Sequence, residues 1–263
     1  MPFKNPEDQS PVPATAGAAR AIKKGLGAWS ADTSPAELSQ LRLGWYYDWR
    51  PFPKIAPVPG VEFVPMFWSG ADVTDENLAA VNQSAATHVL GFNEPDLEGQ
   101  SGMTPELCLE LWPRLMTLKQ RLGSPAPAKY TWLEKFMSQA ERRGLRVDFV
   151  CLHRYPDISN PGAVDEIAAM LEEAYDKYGR PIWLTESGAA DVTAWRQPQL
   201  STPTPEMAEN FLKRLVALLE RLPYVERYAW FADRADNEYK LGSILDPHAP
   251  GLTAIGEVYR DAV

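Results

Sequence analysis

Eight short runs of apolar and β-branched residues recur along this chain, each closed by a turn and most followed by a stretch with helical spacing. They are KKGLGAW (23 to 29), RLGWYYDW (42 to 49), EFVPMFW (62 to 68), HVLGFNE (88 to 94), RLGSPAP (121 to 127), VDFVCLHRY (147 to 155), PIWLTES (181 to 187) and ERYAWFAD (226 to 233). Strand then helix, repeated over 263 residues, predicts an α/β chain of one domain, a (β/α)8 TIM barrel. The fifth run is the weakest, because Pro125 and Pro127 remove ladder donors. A doubly wound open sheet is the competing arrangement. It would call for a glycine-rich phosphate loop after the first strand, but GLGAWS does not complete G-x-G-x-x-G and no P-loop sequence occurs.

The intervening segments carry helix signals. Thr104-Pro105-Glu106 and Thr204-Pro205-Glu206 each read as an N-cap followed by a first-turn proline and a carboxylate, and Gly179 reads as a C-cap. Residues 1 to 20, rich in proline and alanine, read as a flexible leader with no apolar run of signal-peptide length, and residues 21 to 263 as the barrel domain. No apolar run reaches the roughly 18 residues of a membrane span. A formal charge of −9 without a basic cluster argues against a nucleic-acid partner. Cys108 and Cys151 read as two buried thiols. The three histidines are scattered, so no metal motif or metal cofactor is expected.

In such a barrel, functional groups stand at the C-terminal ends of the strands. Those ends supply Trp29, Tyr47, Trp49, Trp68, Asn93, Glu94, His153, Tyr155, Glu186 and Trp230, whereas Lys23, Arg42, Glu62, His88, Arg121 and Asp148 at the opposite ends read as solvated charges. Strict alternation would set Leu90 and Phe92 on the side of Glu94, and Ile182 and Leu184 on the side of Glu186. It would also turn Tyr228 and Trp230 inward and leave Ala229 and Phe231 facing the helices. A single glutamate at a strand end is ordinarily just solvated. Two, ending the fourth and seventh strands and ringed by aromatic residues, suit cleavage of a glycosidic bond, with one carboxyl protonating the leaving oxygen and the other attacking the anomeric carbon. The aromatic residues suit the C–H faces of sugar rings, and Asn93 suits a sugar hydroxyl. Asp96 and Asp233 suit loop positioning or hydroxyl binding.

The motifs GFNEPD, HRYPD, WLTESG, RYAWFAD and LGSILDPHAPGLTAIGEVYR together resemble glycoside hydrolase family 128, over a span from about Lys24 to Tyr259. The resemblance implies a catalytic domain that hydrolyses β-1,3-glucan as a retaining endo-glucanase without a cofactor, acting on the glucan or its oligosaccharides as an extracellular monomer. It matches Glu94 to the general acid/base, Glu186 to the nucleophile, and Asn93, Tyr155 and Trp230 to positions lining the site. Arg154 stands where many relatives carry an aromatic residue. Exo-acting and non-hydrolytic oligosaccharide-binding members, and hydrolysis of another β-glycan such as a mannan or xylan, are the alternatives.

Overall fold

A computed structural model describes residues 22–191 and 203–262. The leader expected at residues 1 to 20 lies outside the described residues. Among the described residues eight strands run in chain order: β1 (Lys24–Gly27), β2 (Trp45–Tyr47), β3 (Glu62–Phe63), β4 (His88–Val89), β5 (Arg121–Leu122), β6 (Val150–His153), β7 (Ile182–Ser187) and β8 (Val225–Trp230). Seven α-helices alternate with them among the described residues: α1 (Pro35–Gln40), α2 (Asp75–Gln83), α3 (Pro105–Leu115), α4 (Tyr130–Arg142), α5 (Ala163–Tyr178), α6 (Pro205–Arg221) and α7 (Ala254–Asp261). No helix follows β2, whose place is taken by the proline-rich loop of residues 48 to 61.

Every strand pair is parallel, in a six-stranded sheet ordered β3-β2-β1-β8-β7-β6 and a separate pair β4-β5. Isolated parallel bridges, Met66 to Leu90 and Gly123 to Phe149, lie where these two pieces meet. The molecule is therefore a single α/β domain with a parallel sheet. Prolines explain the shortness of β3 and β5: Pro65 and Pro125 lack the N–H that a regular ladder needs. Around them, Leu90 N–H donates to the Pro65 carbonyl at 2.8 Å, Phe67 N–H to Leu90 at 3.1 Å and Ser124 N–H to Phe149 at 3.0 Å.

The helices begin and end as their sequences require. Thr104 and Thr204 accept the N–H groups of Leu107 and Met207, and Gly179 closes α5 in the left-handed region at φ 58°. Their apolar stripes pack on one face of the strands, with Ile182, Leu184, Tyr228 and Trp230 facing them. The other face carries a smaller core of Trp45, Tyr47, Val64, Met66, Leu90, Phe149, Cys151, Trp183 and Ala229. Alternation along β7 and β8 is thus one residue out of the phase read from sequence: Trp183 and Ala229 turn away from the helices, while Ile182, Leu184, Tyr228 and Trp230 turn toward them. Phe92 also lies on the helix side, packed edge-on to Trp112 of α3, whereas Leu90 does not.

The N-terminal strand ends are not simply solvated. Glu62 pairs with Arg227 at 2.6 Å and with His88 at 3.5 Å, Arg121 reaches both His88 and Glu226, and the Trp183 indole donates to Glu226. The Arg227 guanidinium lies 4.6 Å from the Trp183 ring centroid, so this network caps the helix-free face of the sheet. Lys23 and Lys24 are likewise buried, their ammonium groups donating to the last carbonyls of α6 and α7. Cys108 and Cys151 are free, buried thiols.

Candidate active site

Glu186 reaches the helix-free face although its strand parity points it the other way. The registers of β6 with β7 and of β7 with β8 both shift near it, between Leu152 and His153 and between Leu184 and Ser187. Such an irregularity re-aims the side chains that follow it. Glu94 reaches the same space by another local device: its backbone takes φ 35°, unusual for a residue with a side chain, immediately before Pro95. Asp96 holds this turn by accepting the N–H groups of Ala128 and Lys129, both at 2.8 Å.

Glu186 is buried and held from several sides. Its Oε1 accepts from the Trp49 indole at 3.0 Å and the Tyr47 hydroxyl at 3.2 Å, and its Oε2 from the Tyr155 hydroxyl at 2.9 Å. His153 Nδ1 lies 3.6 Å from the same Oε2 and 3.3 Å from Glu94 Oε1. One ligating atom from each of Glu94, His153 and Glu186 lies within 4.8 Å of the others. Glu94 is the more exposed carboxylate, with 13% of its side chain accessible against 8% for Glu186.

Burial is the largest influence on Glu186 and lifts its carboxyl above the usual range, helped by the charge of Glu94; His153, Tyr155 and Trp49 oppose the rise. Burial pulls the His153 imidazole down, but the charges of Glu186 and Glu94 outweigh it and hold the group above its ordinary value. Burial, reinforced by the Glu186 charge, pushes the phenols of Tyr47 and Tyr155 up, so both remain hydroxyl donors.

These groups open into a cavity of about 1000 Å³ whose lining includes Trp29, Trp49, Trp68, Asn93, Glu94, His153, Tyr155 and Glu186. Asn93 is buried, its amide donating to Gln100 Oε1 at 3.2 Å. Trp29 is 61% exposed at the rim, edge-on to Trp49 with centroids 5.8 Å apart. Its position is set by Asp233, a buried carboxylate that accepts the N–H groups of Trp29 and Ser30 and the hydroxyl of Thr33. Asp96 and Asp233 both act as loop anchors.

Two expected residues sit elsewhere. Tyr47 lies wholly buried beneath the cavity, against its lining residues Glu186 and Trp49 rather than in the lining itself. Trp230 is on the helix side, between Phe211 of α6 and Tyr259 of α7, with its indole donating to the Gly242 carbonyl at 2.7 Å. Its neighbour Phe231 lines the cavity instead, 5.6 Å from Trp49 and 4.7 Å from Tyr239. Tyr239 in turn stands 5.6 Å from Tyr155. Sequence reading missed both. For Phe231 the signal was present but the alternation was counted in the wrong phase, whereas Tyr239 lies in an irregular loop with no period to read.

A parallel α/β fold with two facing glutamates at strand ends defines the glycoside hydrolases as the class, and the family model described as glycosyl hydrolase catalytic core matches residues 22–259. The chain belongs to that family and, within it, to glycoside hydrolase family 128. It is 36% identical to a subgroup I endo-β-1,3-glucanase from Amycolatopsis mediterranei solved with laminaritriose, over 92% of this chain and 100% of that one, with a TM-score of 0.82. A glutamate-to-glutamine variant of that enzyme, solved with laminarihexaose, matches at 36% identity and a TM-score of 0.81, over 91% of this chain and 98% of that one. A subgroup II endo-β-1,3-glucanase from Sorangium cellulosum matches at 25% identity, with 92% and 98% of the chains covered and a TM-score of 0.77. No curated protein shows a significant sequence match.

Proposed function

We propose that this chain is a retaining endo-β-1,3-glucanase in which Glu94 is the general acid/base and Glu186 the nucleophile. The carrying observation is that oxygens of the two carboxylates approach within 4.8 Å in one aromatic-lined cavity. That is close to the about 5–5.5 Å of a double displacement and well short of the about 6.5–9.5 Å that leaves room for an attacking water. Substrate class follows from the family and from relatives that bind laminari-oligosaccharides.

The hydrogen bonds and the His153 charge favour this division of labour, against the rise that burial imposes on Glu186. Glu186 accepts from the Trp49 indole and the Tyr155 hydroxyl, with the Tyr47 hydroxyl shared between it and the Thr185 carbonyl, and these neutral donors stabilise and aim the ionised carboxylate that attacks the anomeric carbon. Glu94, more exposed, protonates the leaving oxygen and then deprotonates the water that releases the glucosyl ester. Trp29, Trp49, Trp68 and Phe231 offer faces for glucosyl rings, and Asn93 offers a polar contact beside Glu94. The domain that carries the site spans residues 21 to 263 and works as a monomer. The Met66–Leu90 and Gly123–Phe149 bridges join the β4-β5 pair to both outer strands of the six-stranded sheet, which supports a closed (β/α)8 barrel.

With an activated β-glucoside, azide added to Glu94→Ala should restore turnover and give the β-glycosyl azide, because azide attacks the ester on Glu186. With Glu186→Ala, azide replaces the nucleophile and gives the α-azide. Reversed anomers would exchange the two roles, and full activity of either variant without azide would remove that residue from the mechanism. Early release of mixed oligosaccharides from laminarin would support endo action, and release of a single small product would contradict it.

A further inference from the structure

We propose that Glu94, His153 and Glu186 also form a binding site for a divalent transition-metal ion of the zinc type, which inhibits the enzyme by occupying both carboxylates. The inhibition rests on the catalytic reading above; the binding itself does not. Zinc bonds of about 2.0–2.2 Å to nitrogen and oxygen, arranged tetrahedrally, set neighbouring ligand atoms about 3.3–3.6 Å apart. His153 Nδ1 stands 3.3 Å from Glu94 Oε1 and 3.6 Å from Glu186 Oε2. Two edges of the polyhedron are therefore formed before any metal arrives, and the third atom pair, within 4.8 Å, closes by a small carboxylate rotation.

The surroundings suit a cation. The Tyr155 hydroxyl binds Glu186 Oε2, while Trp49 and Tyr47 hold Oε1, so one ligating carboxylate is oriented by a shell of donors as in built metal sites. Among the described residues neither carboxylate is paired with a lysine or arginine; the nearby Arg154 guanidinium is engaged by Glu166 at 3.0 Å. The cavity leaves a fourth position for water. An imidazole among the ligands favours zinc or copper over magnesium or calcium.

The other histidine–carboxylate contact makes an instructive contrast. His88 Nδ1 lies 3.5 Å from Glu62, but it also contacts the Thr87 hydroxyl at 2.7 Å, its Nε2 faces Arg121 at 3.1 Å, and Arg227 neutralises Glu62. No vacant ligand atom remains there for a metal.

Titration of the full chain with zinc chloride by calorimetry should give one saturable site, and cobalt(II) in its place should show the visible absorption of a tetrahedral ion. His153→Gln and Glu94→Gln, checked for folding by thermal melts, should each weaken zinc at least tenfold, whereas His248→Asn should not. Zinc should inhibit laminarin hydrolysis competitively, with EDTA restoring it. No saturable binding, or binding indifferent to both His153→Gln and Glu94→Gln, would overturn the proposal. Zinc binding by a chain that hydrolyses no glucan would uphold the site and sink the glucanase reading instead.

Discussion

Trp49 and Glu94 are two residues with side chains that the fold holds at positive φ, 59° and 35°, and both line the site. Backbone of that kind persists only where its surroundings enforce it, and here it aims an indole N–H at Glu186 and a carboxylate into the cavity. Trp49→Phe keeps an aromatic ring, though a smaller one, and deletes the donor. Losing a hydrogen bond to a charged group costs about 1.5–3 kcal/mol, so kcat/KM on laminari-oligosaccharides should fall about 10- to 150-fold with the melting temperature little changed. A loss confined to KM would mean that the ring alone matters. Trp230 and Phe231 form a second residue-scale test. Trp230→Ala empties a packed site between α6 and α7 and should cost about 3–5 kcal/mol of stability by denaturant unfolding. Phe231→Ala should leave stability nearly intact and raise KM severalfold; the opposite pattern would restore Trp230 to the substrate wall.

At the scale of elements, the two ends of the strands do different work. The C-terminal ends converge on Glu94 and Glu186, and the N-terminal ends are tied together by Glu62, His88, Arg121, Glu226 and Arg227. Burial alone would raise the Glu62 carboxyl, but His88, Arg227 and Thr87 outweigh it and hold the group well below the usual carboxylate range. A carboxyl depressed in the folded state contributes stability that is complete above its unfolded pKa and drains away as pH falls toward the folded one. Glu62→Gln should therefore melt below the wild type at pH 7, with the gap shrinking as pH drops below about 4.5. A gap of constant size from pH 7 to pH 3 would show that Glu62 acts by packing rather than by charge.

For the whole molecule, the first strand fastens the last helices. Lys24 is buried with its ammonium donating to the carbonyls of Tyr259 and Arg260, while the Tyr259 hydroxyl returns a bond to the Gly25 carbonyl at 2.5 Å. Burial, with the Arg42 charge adding to it, brings the Lys24 pKa down to about 8. Between pH 8 and the usual lysine value the unfolded chain holds a proton that the folded chain has shed, so this group makes stability rise with pH over that window. Wild-type stability relative to Lys24→Met should accordingly increase from pH 8 to pH 10 in denaturant titrations. A difference that stays flat across that range would show that Lys24 keeps its proton in the fold.

Much of this protein was legible in its sequence because strand, turn and helix signals are local. Proline and threonine at N1 and N-cap, Gly179 at a C-cap, and apolar runs ending in Asn93-Glu94 or Glu186 needed no tertiary information, and the same order of elements carried the pairing of two glutamates. What residues could not reveal was where alternation breaks. The register shifts beside Glu186 and the positive φ of Glu94 arise from how neighbouring strands meet; from Arg227 to Phe231 the alternation is regular, and which of its two phases faces the cavity, with Phe231 there and Trp230 against α6 and α7, was decided in three dimensions by how the helices pack. The same holds for Tyr239, delivered by an irregular loop, and for the charges at the far strand ends: Glu62 and Arg227 are 165 positions apart, and only the folded sheet turns the apparently solvated Glu62 into half of a partly buried ion pair.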